Sequence, residues 1–293
     1  MDKSGSTDLH NRLSQHPFVM GNKGSLGKET SFWSWLRYGL YNKKLMERKL
    51  YLDDFLDMFA ETAHLIEETN VTAIITGDAT PMDLWDFRSW PSIPQNFGKD
   101  EPEVLTPHLL KYIHRERPPK FLIQYREPIE RLYSDYIFLE YGKTPEEFHN
   151  HSLQAIDMMN ACFGNITRRQ CFFSDNLYQS LPVRIHLGCY YMFLQEWLHV
   201  FPRSSFLITT MDEYQNDMEN TLKKAFKFLD LPSLPDSKMA EIINQTRRHV
   251  TRNKQGVVLP ETVKVLRQFY DNCNKDTAQL LNDDRFLWLG HYL

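Results

Sequence analysis

Lys120-Phe121-Leu122-Ile123-Gln124-Tyr125 runs directly into Arg126-Glu127-Pro128-Ile129-Glu130-Arg131-Leu132-Tyr133-Ser134. The first stretch is a short apolar run of strand length. Pro128 suits the first turn of a helix, where its missing N–H is not needed and its fixed φ already fits. The reading is therefore strand, turn, helix, with Arg126 on the turn and Ser134 two turns inside the helix. A forked arginine donor and a hydroxyl so placed converge on one phosphate. The competing reading is an ordinary strand-to-helix turn with Arg126 paired to an acid.

A second phosphate signature opens the chain: Lys3-Ser4-Gly5-Ser6-Thr7, followed by a predicted short helix over residues 6–15 with Leu9 and Leu13 one turn apart. Gly5 lets the backbone approach an anion closely, and the helix behind it offers unpaired N–H groups. Lys3 adds a positive charge, and Ser6 and Thr7 add hydroxyls. The lysine precedes the glycine, so this is not a Walker A loop, and no companion acid stands ready for magnesium. A nucleotide kinase is disfavoured on both counts. The loop begins at the third residue and leaves no room for a strand leading into it. A fragment lacking its first strand and an upstream anchor is expected.

Further helices are predicted over residues 51–68, 106–115, 186–200, 221–229 and 261–272. In the first of these Leu52, Phe55, Leu56, Phe59, Ala63 and Ile66 form one stripe. Further strands are predicted at residues 71–76 and 205–209. Strands alternating with helices give an α/β fold, a parallel sheet flanked by helices. Ligands on such sheets bind at the carboxyl ends of the strands. Gly77-Asp78, Arg126 and Thr210 would emerge there.

The 293 residues fit one domain spanning the chain, and 42% hydrophobic with 25% charged residues is globular composition. A net charge of -4 excludes a general attraction to polyanions. An acidic substrate must meet a local patch, for which Arg37, Lys43, Lys44, Arg48 and Lys49 are candidates. Trp33 and Trp35 are candidates for stacking on sugar rings, with core packing as the alternative. No stretch is long and apolar enough to span a bilayer, and no signal peptide opens the chain. The four cysteines lack zinc-finger spacing. Cys162 and Cys171 flank a short polar segment that a disulfide would close; free buried thiols fit the spacing equally. Asn70, Asn150, Asn165 and Asn244 begin glycosylation triplets.

Arg-x-Pro-x-x-Arg-x-x-Ser after a strand resembles the 3′-phosphate motif of the sulfotransferases, and Lys-x-Gly-x-Thr before a helix resembles their 5′-phosphosulfate loop. Lys28-Glu29 before paired aromatics, Gly77-Asp78-Ala79, and Leu181-Pro182-Val183-Arg184 extend the resemblance to the Golgi carbohydrate sulfotransferases across nearly the whole chain. The resemblance implies a P-loop-like sulfotransferase fold and 3′-phosphoadenosine 5′-phosphosulfate as co-substrate, without a metal. Lys3, Gly5, Ser6 and Thr7 would grip the 5′-phosphosulfate; Arg126 and Ser134 the 3′-phosphate. Arg248 and Arg252 would belong to a basic loop closing over the nucleotide. Glu29 falls at the catalytic base and Lys3 would assist catalysis. Lys28, Asp78, Lys43 and Lys44 would meet the acceptor, a glycosaminoglycan, with O-6 of N-acetylgalactosamine 4-sulfate in chondroitin or dermatan sulfate as the favoured atom. Cys162 and Cys171 match a family pair expected to be disulfide-bonded. The Golgi lumen is the implied location, and neither nucleic acid nor a membrane segment of this chain is an implied partner.

Two departures, together with the expected loss of the first strand, favour a rival, a degenerate relative that binds glycan or adenosine bisphosphate without turnover. Asp2 stands where the family usually has proline, close to the expected sulfate. Thr30-Ser31 stands where close relatives have Pro-His.

Overall fold

The computed structural model describes residues 1–24, 27–40, 49–246 and 256–291. In chain order the main elements are α1 (Ser6–Leu13), β1 (Val19–Met20), α2 (Leu52–Asp57), α3 (Ala60–Thr69), β2 (Ile75–Thr76), α4 (Thr106–Ile113), β3 (Phe121–Tyr125), α5 (Pro128–Phe138), α6 (Pro145–Phe163), α7 (Arg168–Phe172), α8 (Asp175–Ser180), α9 (Tyr190–Val200), β4 (Phe206–Thr210), α10 (Met211–Asn216), α11 (Met218–Phe228), α12 (Asp236–Ile243) and α13 (Pro260–Leu281). The α/β class stands, with the parallel sheet in two pieces among the described residues: β1 pairs with β2, and β3 with β4.

The β3–β4 pair carries the core. Phe121 lies opposite Phe206 and Tyr125 opposite Thr210. Successive side chains point to opposite faces of a strand. Accordingly Ile123, Tyr125, Phe206 and Ile208 join the larger buried cluster with Leu132, Tyr190 and Leu266. Leu122 and Leu207 face a second cluster made by Leu9, Leu13, Leu222, Phe226 and Ile242. Both faces are covered, as parallel sheets require, and α1 is thereby fixed against one of them.

Three expected elements are reshaped. The strand expected at residues 71–76 shortens to β2, because Asn70 ends α3 in the left-handed region (φ 54°) and Ile74 N–H closes a turn onto Val71 O at 3.3 Å. The helix expected over residues 51–68 breaks into α2 and α3 where Met58 O turns outward to accept from Lys23 N–H at 2.8 Å. The helix expected from residue 186 starts at Tyr190, after a 3-10 turn over Ile185–Gly188. Gly188 lies flat on Tyr270, where an added Cβ would stand 2.6 Å from the ring.

Two disulfides are present. Cys162–Cys171 fastens the end of α6 to α7, with Cα atoms 6.0 Å apart. Cys189–Cys273, which sequence reasoning did not pair, joins the start of α9 to α13 across a separation of 84 residues. A longer closed loop removes more entropy from the unfolded chain. Replacing both cysteines of the longer bridge by serine is therefore expected to lower unfolding free energy by about 4–5 kcal/mol, against about 2–3 kcal/mol for the shorter one. Urea titrations of the two double variants measure both losses, and the reverse order would contradict the loop-length argument.

Candidate active site

The two phosphate signatures meet. Tyr125 ends β3, and Arg126 turns back so that its Nη1 donates to Lys3 O at 3.4 Å. Two residues before Arg126, Gln124 Nε2 donates to Ser4 O at 2.5 Å. The opening loop is thus tied to the carboxyl end of β3. Gly5 is the N-cap of α1 with φ 81°, a conformation costly for any residue with a Cβ. A Cβ there would also meet Gln124 Nε2 at 2.9 Å.

The loop leaves several donors uncommitted among the described residues. No side chain caps the N-terminus of α1, so its first N–H groups remain available. Within the described residues, Ser6 and Thr7 have no hydrogen-bonded hydroxyl, and Ser134 on α5 has none either. Lys3 makes no ion pair among the described residues; its ammonium rests 3.6 Å above the Phe138 ring. Burial holds the Lys3 ammonium below its usual range, and Arg126 and Arg184 push the same way against Asp135 and Asp2. A cation surrounded in this way gains from an incoming anion. Arg126 also holds Glu130, Nε to Oε2 at 3.1 Å. The acid pairing anticipated as the competing reading is therefore present, and it leaves Nη2 without a protein partner among the described residues.

Asp2 does not stand as a bare charge beside this loop. Arg184 Nη1 lies 3.2 Å from Asp2 Oδ2, and the same guanidinium grips the buried Asp135. The repulsion expected from Asp2 is thereby offset. Neither Arg184 nor Asp135 was assigned a role from the sequence. The pairing of residues 2 and 184 has no local signal; only a surplus of buried charge in the Arg131–Asp135 helix turn hints at it.

Lys28 and Glu29 lie beside this loop. Their side chains pair with each other, and Lys28 Nζ donates to Ala79 O at 3.0 Å. Burial lowers the Met1 ammonium to about 6, with the charges of Asp2, Lys28, Arg131 and Glu29 acting on it in addition. His10 of α1 is likewise lowered by burial and then by Lys28, with Asp78 opposing. Asp78 accepts from Thr30 N–H at 3.1 Å, from Thr80 N–H at 3.0 Å and from Thr80 Oγ1 at 2.6 Å. Hydrogen bonds thus tie Lys3 and Ser4 of the opening loop to Arg126 and Gln124, and Lys28 and Thr30 to the turn that carries Asp78.

Lys43, Lys44, Arg248 and Arg252 lie outside the described residues. Of the segment containing Arg248 and Arg252, the flanks are held by the two phosphate elements: Arg12 of α1 donates to Gln245 O at 2.9 Å, and Tyr133 of α5 to Gly256 O at 3.2 Å. Trp33 is 3 % exposed and packs in the core against Phe32 and Phe55, so it is no sugar platform. Trp35 donates its indole N–H to Asp86 at 2.7 Å.

The site is a loop running into a helix at the end of a parallel strand, with an arginine turn beside it, and residues 1–274 match the model of the sulfotransferase domain family. The chain belongs to it. It is 33% identical to carbohydrate sulfotransferase 15 of Homo sapiens and of Rattus norvegicus over 303 aligned positions, covering 98% of this chain and 53% of theirs. The chain thus spans about half the length of these curated relatives. Carbohydrate sulfotransferase 15 of Nototodarus sloanii is 32% identical over 133 positions, 44% of this chain and 84% of that protein. In fold the chain is similar to the crystal structure of a sulfotransferase from Alicyclobacillus acidocaldarius, with TM-score 0.52 and 16% identity, covering 96% of this chain and 93% of that one.

Proposed function

We propose that this chain, acting as a single domain over residues 1–293, moves a sulfuryl group from 3′-phosphoadenosine 5′-phosphosulfate to a sugar hydroxyl of a sulfated glycosaminoglycan. The favoured acceptor atom is O-6 of N-acetylgalactosamine 4-sulfate in chondroitin or dermatan sulfate. The observation that supports the reading is the contact of Arg126 with Lys3 O, which brings the two segments read as phosphate-binding side by side. Lys3, Gly5, Ser6 and Thr7 hold the 5′ end; Arg126 Nη2 and Ser134 hold the 3′-phosphate. Glu29 takes the proton of the attacking hydroxyl. The hydroxyl oxygen bonds to sulfur as the bond from sulfur to the bridging phosphate oxygen breaks, and Lys3 neutralises charge growing there.

Asp2 is one of the arguments for a degenerate binder, and its pairing with Arg184 weakens that one. Residence in the Golgi lumen belongs to the same proposal. Two disulfides suit an oxidising compartment. No described helix is long and apolar enough to cross a membrane.

Incubation with radiolabelled donor and chondroitin 4-sulfate is expected to label the polysaccharide. Calorimetry with 3′,5′-adenosine bisphosphate, run in parallel, separates the rival: binding without transfer supports the degenerate relative. Arg126→Ala is expected to weaken bisphosphate binding roughly 10- to 100-fold, the worth of a charge-assisted hydrogen bond. Unchanged affinity would remove Arg126 from the donor site.

A further inference from the structure

The turn at residues 77–80 is bound to residues 28–31 by a set of hydrogen bonds concentrated on one side chain. Asp78 Oδ1 accepts from Thr30 N–H at 3.1 Å, and Oδ2 accepts from the Thr30 hydroxyl. The same carboxylate takes Thr80 N–H and the Thr80 hydroxyl. Thr80 Oγ1 in turn accepts from Ser31 N–H at 2.9 Å. On the other side of Glu29, Ala79 N–H donates to Lys28 O at 3.0 Å, and Asn22 Nδ2 bridges Lys28 O at 3.2 Å and Gly77 O at 2.7 Å. Glu29 thus lies between Lys28 and Thr30, both tied to this turn, and its carboxylate pairs with the Lys28 ammonium.

We propose that Asp78 is a positioning residue for Glu29, fixing the backbone on which the base is mounted, and that it does not touch the sugar. This rests on the reading of Glu29 as the base. With four donors on its two oxygens, Asp78 has little acceptor capacity left for a hydroxyl of the acceptor. Behind it sits Asp83, whose Oδ1 is closed off from solvent without a donor. Burial, and next the charge of Asp78, push the Asp83 carboxyl well above the usual carboxylate range. The Thr30 and Thr80 donors all fall on Asp78.

Two readouts test this. In amide exchange, Asp78→Ala is expected to speed exchange at Thr30 and Ser31 while the α1 amides keep their protection. In transfer to chondroitin 4-sulfate it is expected to lower kcat about 100-fold, the size of loss a displaced reacting group brings, with donor KM and bisphosphate affinity unchanged. Asp78→Asn, which keeps an acceptor for Thr30 N–H, is expected to recover most of the rate. Should Asp78→Ala fail to fold, Thr30→Val removes a single bond of the set and is expected to lower kcat about tenfold at constant KM. Unaltered exchange at Thr30 and Ser31, or a raised acceptor KM with kcat retained, overturns the proposal and assigns Asp78 to the sugar. If the wild type transfers nothing while exchange responds as expected, the functional reading fails and the clamp stands.

Discussion

Glu29→Gln is expected to lower sulfuryl transfer by about 10²- to 10⁴-fold, the range that loss of a general base produces, while bisphosphate binding stays as in the wild type. The substitution preserves size and leaves a carbonyl oxygen for the Lys28 ammonium that now pairs with Glu29. It removes only the capacity to take a proton. The backbone clamp on either side acts through Lys28 O, Thr30 and Ser31, none of which the substitution touches, so folding is not at issue. The residues proposed to hold the donor are others, tied together through Lys3 O, Ser4 O, Gln124 and Arg126. Donor binding and proton removal are thus separable by one variant. Single-turnover labelling beside calorimetry measures both, and a variant as active as the wild type would make another group the base.

What the sequence disclosed follows from how local each signal is. The β3–turn–α5 unit was legible because an apolar run, an arginine and Pro128 state strand, turn and helix start within a few residues; in the structure Glu127 also caps that helix, accepting from Glu130 N–H at 2.7 Å. The α6 helix was missed although Thr144-Pro145-Glu146-Glu147 carries a capping box, with Glu147 N–H on Thr144 Oγ1 at 3.2 Å; the signal was there to be read. The break between α2 and α3 was not, because it depends on Lys23, which is remote in sequence. The site divides the same way. Lys3, Gly5 and Arg126 announce themselves by spacing. The role of Asp78 depends on Thr30, and the neutralisation of Asp2 depends on Arg184. Such pairings arise only once the β3–α1 layer has brought distant segments together, and no window along the chain contains both partners.

Asp135→Ala is expected to be the most destabilising single substitution near the site, costing about 3–5 kcal/mol, as breaking a buried ion pair from one side does. Asp135 is fully buried, as is Arg131. Arg131 Nη1 lies 3.3 Å from its carboxylate, and Arg184 Nε donates to it at 2.8 Å. Removing the acid leaves two guanidinium groups in the interior, with Asp2 as the remaining carboxylate on Arg184 and a backbone carbonyl on Arg131. The pH dependence has a definite sign. Burial pushes the Asp135 carboxyl up, but Arg131 and Arg184 together outweigh it and hold the group below the usual range. A folded pKa depressed below the unfolded value stabilises the native state above the unfolded pKa, about 3.9 for aspartate. That stability is lost as pH falls through the folded value. The difference in unfolding free energy between wild type and Asp135→Ala should therefore be full at neutral pH and shrink only in strong acid. Urea titrations across that range test it, and a difference that does not change with pH would show that Asp135 contributes by shape alone. The same variant should reach the phosphate loop, since Arg184 links Asp135 to Asp2 and Asp2 adjoins Lys3. Weaker bisphosphate binding in the folded fraction of Asp135→Ala is the expected consequence, because an Arg184 without its buried partner no longer fixes the residue that precedes the cradle.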